Sequence, residues 1–252
     1  MGYKHISISG GDTGAPLNAA RRIGLIAEHV EVADKFILDC GCGSGEYVEK
    51  LSGYSKNVYG IEYDRTRVAH FKSLNILPEN VSVGNIESMK FHDCAFDLVL
   101  LNEVLEHIPN QKKGLEEVSR VLKRNGHLVI MSPNRCYPFE THGVIIKSSQ
   151  VKLPNYIPFV PYIPLRLGEL FLTYQARNYF PLDLKQIIEQ MDFKILEHGY
   201  ISQTFEGIGG NNNQLYQLLR PALRKLFFRM EKIPFFNKFF CVSQFLIAVK
   251  QT

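Results

Sequence analysis

Hydrophobic residues fall along this chain in two kinds of block. Residues 36–39, 58–61, 81–83, 96–101 and 127–131 are short, largely apolar runs, the pattern of strands buried on both faces of a parallel sheet. Between them the apolar positions recur every three or four residues, which predicts helices over 46–51, 65–74 and 112–122. The last of these buries Leu115, Val118, Val121 and Leu122. A leading helix is predicted over 16–32, with Ile23, Ile26, Ala27 and Val30 on one side. Beyond residue 180 a helix to Met191 opens with Pro181 in its first turn, a sixth strand begins at 192–197, and a last strand covers 239–250. Strands alternating with helices predict an α/β fold built on a parallel sheet.

The sharpest local signal lies at residues 36–45, Phe-Ile-Leu-Asp-Cys-Gly-Cys-Gly-Ser-Gly. A buried strand ends at Asp39, and glycines follow at 41, 43 and 45. Such a turn lets the backbone lie against a ligand, because no Cβ stands in the way. A dinucleotide fingerprint, G-x-G-x-x-G, would put its third glycine where this chain has Glu46. Asp39 and Glu46 also bring negative charge to a place where a pyrophosphate would sit. A ligand with an ammonium group and no phosphate is attracted to Asp39 instead.

An acid followed by G-x-G-x-G resembles the first motif of the class I S-adenosylmethionine-dependent methyltransferases, nearest to the type 11 branch with the ubiquinone and menaquinone biosynthesis enzymes. The resemblance is good over residues 35–131 and looser to the end of the chain. It implies a Rossmann-like seven-stranded mixed sheet, last strand antiparallel, with helices on both faces and a lid inserted after strand five. It also implies S-adenosyl-L-methionine as cofactor and S-adenosyl-L-homocysteine as product. The loop residues Asp39, Gly41, Cys42, Gly43 and Gly45 would then hold the cofactor. Glu62, at the end of the second strand beside Tyr63, matches the family's acid for two ribose hydroxyls, a job for a carboxylate that accepts two hydrogen bonds side by side. Asp64 reads as the cap of the next helix. Relatives commonly carry Gly-Asp-Ala after the third strand; this chain has Gly84, Asn85 and Ile86. An amide oxygen can still accept from the adenine amino group, with Ile86 near the adenine plane. Asn102 and Glu103, at the carboxyl end of the fourth strand, would flank the methionine part. The leading segment often lies over the cofactor in this class, so Tyr3 and Arg22 are candidates for contact, against the ordinary exposure of loop and arginine side chains.

Residues 132–143 leave the fifth strand over the transferable methyl group and resemble a subgroup with Asn-Arg-x-aromatic-Pro-x-Glu-x-His, associated with cell-envelope and glycan pathways. Asn134, Glu140 and His142 could orient or deprotonate an acceptor; a hydrogen-bonded lid scaffold is the other reading. His107, ending a short helix, is either a base or a structural histidine. Residues 144–177 hold Pro154, Pro158, Pro161 and Pro164 among aromatic and aliphatic residues. The prolines exclude regular helix, so an apolar-faced lid is expected, followed by a helix near 165–174. The expected organisation is a single domain: an arm and helix at 1–34, a cofactor core at 35–135, a lid at 136–180 and the rest of the fold at 181–252.

Composition changes this picture little. The 252 residues suffice for one α/β domain, 45% hydrophobic and 21% charged. A net charge of +4 lacks the concentrated basic face of a nucleic-acid binder, and the chain has Asn102-Glu103-Val104-Leu105 where amino-group nucleic-acid methylases carry a Pro-Pro-aromatic motif. Five cysteines without a C-x-x-C pair argue against a zinc ribbon, and no metal-ligand spacing is visible. An odd cysteine count, no signal-like start and no apolar run of spanning length predict a cytoplasmic protein. The acceptor is expected to be a small or lipid-linked molecule, and both monomer and homodimer stay open. Residues 214–230 read as a basic amphipathic helix, able to contact an anionic membrane or simply to lie on the protein surface, with Pro221 bending it or marking its start. The rivals are a binding module that holds the cofactor without methyl transfer and a nicotinamide-dependent oxidoreductase.

Overall fold

The structure is a computed structural model that describes residues 16–75, 77, 79–155, 157–206 and 214–251. Tyr3, the arm preceding Gly14 and the glycine- and asparagine-rich loop at 207–213 lie outside them. In chain order, helix α1 (Pro16–His29) leads to strand β1 (Ile37–Cys40), α2 (Glu46–Leu51), β2 (Val58–Glu62), α3 (Arg65–Ser73), β3 (Val81–Val83), β4 (Phe96–Asn102), a short 3-10 turn (Leu105–His107), α4 (Gln111–Val121) and β5 (Leu122–Pro133). The lid follows: β6 (Phe139–Glu140), β7 (Val144–Ile146), β8 (Ile157–Pro158), α5 (Leu165–Phe171) and β9 (Leu172–Tyr174). The chain returns through α6 (Pro181–Glu189), β10 (Phe193–Ile201), α7 (Gln214–Glu231), α8 (Pro234–Phe240) and β11 (Ser243–Lys250).

Seven strands form one sheet in the order β10-β11-β5-β4-β1-β2-β3. β3, β2, β1, β4 and β5 run parallel, while β11 is antiparallel to both of its neighbours. The chain winds outward from β1 through β2 to β3, then crosses back to β4 and β5. The reversal leaves a crevice at the carboxyl ends of β1 and β4, where open α/β sheets bind ligands. Two apolar clusters sandwich the sheet. Ile23, Ile26, Val48 and Phe71 pack on one face with Ile37, Leu98 and Leu100; Leu115, Val118, Leu184 and Ile188 pack on the other with Leu38, Val99 and Leu101. Alternate residues of β1 thus serve opposite faces. The expected α/β sheet, its antiparallel last strand and its two helical layers are all present.

The differences are local. The helix expected over 165–174 ends at Phe171, because Leu172, Thr173 and Tyr174 pair with Val144, Ile145 and Ile146 instead. A second ribbon pairs Phe139–Glu140 with Ile157–Pro158, so two interleaved two-stranded ribbons build the lid. The final strand starts at Ser243, not residue 239; Pro234 at the first turn opens α8, which takes Phe239 and Phe240 into a helix. Pro221 neither breaks nor starts α7, which runs through it. All five cysteines are free, and no helix among the described residues is long and apolar enough to cross a membrane.

Candidate active site

The carboxyl ends of the first four strands open onto one cavity of about 410 Å³. Gly41 comes from β1, Glu62, Tyr63 and Asp64 from β2, Gly84, Asn85 and Ile86 from beyond β3, and Glu103, Val104 and His107 from beyond β4. Seven of the residues expected from sequence therefore line one cavity: Gly41, Glu62, Tyr63, Asn85, Ile86, Glu103 and His107. Ile61, Arg67, Ile108 and Pro109 complete the lining and were not singled out from sequence.

The glycine loop is held by its own backbone. The N–H groups of Gly41 and Cys42 both donate to Ile61 O, Gly45 donates to Cys42 O, and Gly43 donates to the Glu62 carboxylate. With these donors turned inward, the loop lacks the row of outward amides that grips a pyrophosphate. Its glycines are required sterically at two positions. Gly41 (φ 72°) would bring a Cβ within 2.6 Å of Val104, and Gly45 (φ 88°) within 2.0 Å of the Phe71 ring. Cys42 turns its side chain into the core against Gly60, so its part in the loop is structural packing.

Asp39 is the next-to-last residue of β1, a strand buried throughout, and is 2% exposed. Burial pushes its carboxyl well above the ordinary carboxylate range, and Glu46 and Glu62 add to the rise. Without a counter-cation this charge is costly, so the site is poised for a cationic ligand group. Glu62 is fixed at both oxygens: Oε2 accepts from Gly43 N and Oε1 from Asp64 N, each at 2.9 Å. Those bonds hold the carboxylate in the cavity wall with lone pairs left for two further donors. Asp64 caps α3 by accepting from Thr66 N at 2.8 Å, as the sequence indicated. The Asn85 amide oxygen accepts from Glu87 N at 2.9 Å, closing a turn and leaving one lone pair for a further donor.

Arg22 is the principal correction. Ordinary exposure put it in solvent, yet it is buried, 1% exposed, on α1. Its guanidinium donates to Asn18 on its own helix, to Asn102 and Glu103 at the end of β4, and to Ser243 at the start of β11. Burial opposes its charge, but Glu103 at 2.8 Å outweighs that and raises its pKa. Burial likewise pushes the Glu103 carboxyl up, but the attraction of Arg22 overcomes it and holds the Glu103 pKa below its ordinary range. Asn102 and Glu103 are thus engaged by side-chain bonds to Arg22, and Glu103 takes a left-handed φ of 54°.

Beyond Glu103 the 3-10 turn and the lid meet. His107 and His142 lie with ring centroids 5.5 Å apart. Glu106, overlooked in the sequence, is 2% exposed beside them, with Oε1 3.9 Å from His107 Nε2 and its carboxyl against that of Glu103. Burial, with repulsion from Glu103, holds the Glu106 carboxyl well above its usual range. One ligating atom from each of Glu106, His107 and His142 falls within 4.8 Å of the others. No metal spacing was visible in the sequence because His142 arrives from 35 residues away. Burial lowers the His142 pKa against the pull of Glu103, which keeps the imidazole neutral at physiological pH. The other lid candidates are engaged by neighbouring groups. Glu140 accepts from His142 N at 2.9 Å and from Asn178 at 3.1 Å. Asn134 donates to Lys238 O and Cys241 O and accepts from Cys136 N.

The family model of a methyltransferase domain matches residues 38–130. Over this stretch, 93 of the 252 residues, the chain is similar to a methyltransferase domain. A probable S-adenosylmethionine-dependent methyltransferase of Mycobacterium tuberculosis is 32% identical over 99 residues, 39% of this chain and 36% of that protein. A ubiquinone biosynthesis O-methyltransferase of Cronobacter sakazakii is 29% identical over 120 residues, 45% of this chain and 49% of its own length. The chain therefore spans a third to a half of the curated relatives it matches. Among solved structures, an S-adenosylmethionine-dependent methyltransferase from Mesorhizobium loti aligns with a TM-score of 0.61 at 15% identity, covering 95% of this chain and all of the other, a likeness of fold. The mycobacterial and Mesorhizobium proteins are named as S-adenosylmethionine-dependent, and the residues present here fit that cofactor: acids at Asp39 and Glu62, and a loop without an anion-binding row of amides.

Proposed function

We propose that this chain moves a methyl group from S-adenosylmethionine to a small-molecule, lipid-linked or glycan-pathway acceptor admitted beneath the lid. The observation that carries the reading is the cavity itself, with a doubly anchored Glu62 on one wall and the His107–His142 pair beside the other. S-adenosylmethionine, when bound, supplies an electrophilic methyl carbon that an acceptor lone pair displaces in line from sulfur, giving S-adenosylhomocysteine. Glu62 receives the two ribose hydroxyls, Asn85 the adenine amino group beside Ile86, and Asp39 favours the ammonium end. Residues 35–135 form the cofactor half and 136–180 the acceptor half. A hydroxyl acceptor must lose its proton, and His142 is neutral and able to take it, with His107 alongside. Aligning acceptor and methyl in a water-poor cleft supplies much of the acceleration.

Thermal unfolding with S-adenosylhomocysteine, and separately with NAD, tests the reading. A ligand at about 100 times its dissociation constant adds roughly 2.7 kcal/mol of stability. Stabilisation by the first alone is expected; stabilisation by NAD alone would replace methyl transfer with hydride chemistry. Once an acceptor is in hand, His142→Ala should lower turnover more than cofactor affinity, and wild-type turnover would return His142 to the lid scaffold.

A second reading rests on the buried Glu106 carboxyl. With His107 and His142 it offers one carboxylate and two imidazoles to a divalent cation, which could ionise the acceptor in place of a base. Activity lost to a chelator and restored by a divalent metal would favour this reading; indifference to the chelator favours the base.

A further inference from the structure

Helix α8, Pro-Phe-Phe-Asn-Lys-Phe-Phe, buries none of its residues. Phe235 is 72% exposed, and Ile233, Phe236, Phe239 and Phe240 are exposed with it. The four rings touch chiefly one another, with centroid separations of 5.5 to 5.9 Å for Phe235–Phe236, Phe236–Phe240 and Phe235–Phe239. The preceding α7 is anchored inward by Phe227 against Phe205 and by Phe228 beneath Arg21, while Leu218 (76% exposed), Leu219 and Leu226 face outward. A continuous apolar surface of this kind is unusual on a soluble chain without a partner.

The charge beside it identifies the partner. Residues 214–240 carry Arg220, Arg224, Lys225, Arg229, Lys232 and Lys238 against one acid, Glu231. Glu231 is already engaged by Arg21 and Ser202. This stretch therefore holds more positive charge than the net +4 of the whole chain. A second copy of the chain would bring like charge against like charge across the same face. An anionic bilayer offers the complement to both properties: headgroups for the lysines and arginines, and an acyl boundary for the phenylalanines.

We propose that α7 and α8 lie flat on an anionic lipid surface, with the rings of Phe235 and Phe239 inserted and the basic residues on the headgroups. The surface adjoins the acceptor side of the fold. Asn134, at the root of the lid, donates to the carbonyls of Lys238 and Cys241 at either side of the end of α8. Docking there brings the lid, whose Phe159, Leu170 and Phe171 are also exposed, to the bilayer edge. The docking stands whether or not the chain transfers methyl groups.

The test is sedimentation of the full chain with vesicles of phosphatidylcholine alone and of phosphatidylcholine with phosphatidylglycerol, alongside analytical ultracentrifugation without lipid. Binding is expected only to the phosphatidylglycerol vesicles. It should fall about fivefold for each charge removed in Lys232→Ser and Lys238→Ser, and at least tenfold in the Phe235→Ser/Phe239→Ser double variant. Because all four side chains are exposed, unchanged thermal unfolding should confirm that the variants fold. No binding to phosphatidylglycerol vesicles would overturn the proposal, as would binding that ignores the phenylalanines. A lipid-free dimer that the double variant converts to monomer, without vesicle binding, would reassign the face to a second copy.

Discussion

Glu62 offers the most direct perturbation of the cofactor site, because its carboxylate is held from behind by two backbone amides at 2.9 Å. In Glu62→Gln one oxygen becomes an NH2 group, which must face either Gly43 N or Asp64 N, donor against donor. A hydrogen bond to a charged group contributes about 1.5–3 kcal/mol, and half-burial of Glu62 places the loss near the lower end of that range. The apo protein should therefore lose about 1.5 kcal/mol, read as a lower midpoint in urea. Cofactor binding suffers separately. Two hydroxyl bonds to the carboxylate, at roughly 1.4 kcal/mol each, amount to about 100-fold in affinity, which Glu62→Ala should lose in full. Glu62→Gln, with one acceptor oxygen remaining, should lose about tenfold. Calorimetric titration with S-adenosylhomocysteine reads both. If Glu62→Ala binds S-adenosylhomocysteine with unchanged affinity, the ribose assignment is wrong. If Glu62→Gln matches wild type in stability, the carboxylate is not tensioned between the two amides as described.

Asp39→Asn should raise apo stability at neutral pH while weakening S-adenosylhomocysteine binding. Because the folded carboxyl titrates well above the unfolded value, its favourable contribution is complete below about pH 4 and is lost as pH rises through the folded pKa. The loss runs at about 1.4 kcal/mol per pH unit, so the variant should flatten the stability–pH curve above pH 4; an unchanged curve would contradict the cost assigned to the buried charge. Gly45→Ala should cost about 3 kcal/mol or more, since its Cβ meets Phe71 at 2.0 Å in a left-handed conformation. Gly43→Ala, with only Arg67 Nη1 at 3.7 Å, should cost about 1–2 kcal/mol; equal losses in denaturant unfolding would refute the steric account.

The cofactor side of this site was legible because its signals are local. A strand buried on both faces, glycines at alternate positions and an acid at the end of the next strand each follow from a few consecutive residues, and Gly41, Glu62, Tyr63, Asn85 and Ile86 do line the cavity. What the sequence concealed depends on distance along the chain. Arg22 sits on an amphipathic helix, where an arginine is ordinarily solvated; its partners lie 80, 81 and 221 residues away. A hint was available in Asn18 and Ile26, which share its face at helical spacing of four and are buried. Glu106 carries no local signal of its own, and only the fold brings its buried carboxyl beside His107 and His142. The lid strands were missed for a related reason. Leu172 to Tyr174 continues an apolar helix pattern until pairing with Val144–Ile146 overrides it.

The Arg22 junction also bears on the order in which the molecule can mature. The glycine loop and β4 exist once about 40% of the chain has been made, yet the guanidinium that steadies Asn102 and Glu103 also bonds Ser243. Strand β11 must then slide between β10 and β5, pairing with both, before that contact forms. Until residues 243–250 arrive, β5 is an open sheet edge and the charge of Arg22 has no wall on its third side. The bonds that Arg22 makes at the end of β4 and at the start of β11 are therefore complete only when the last strand is in place.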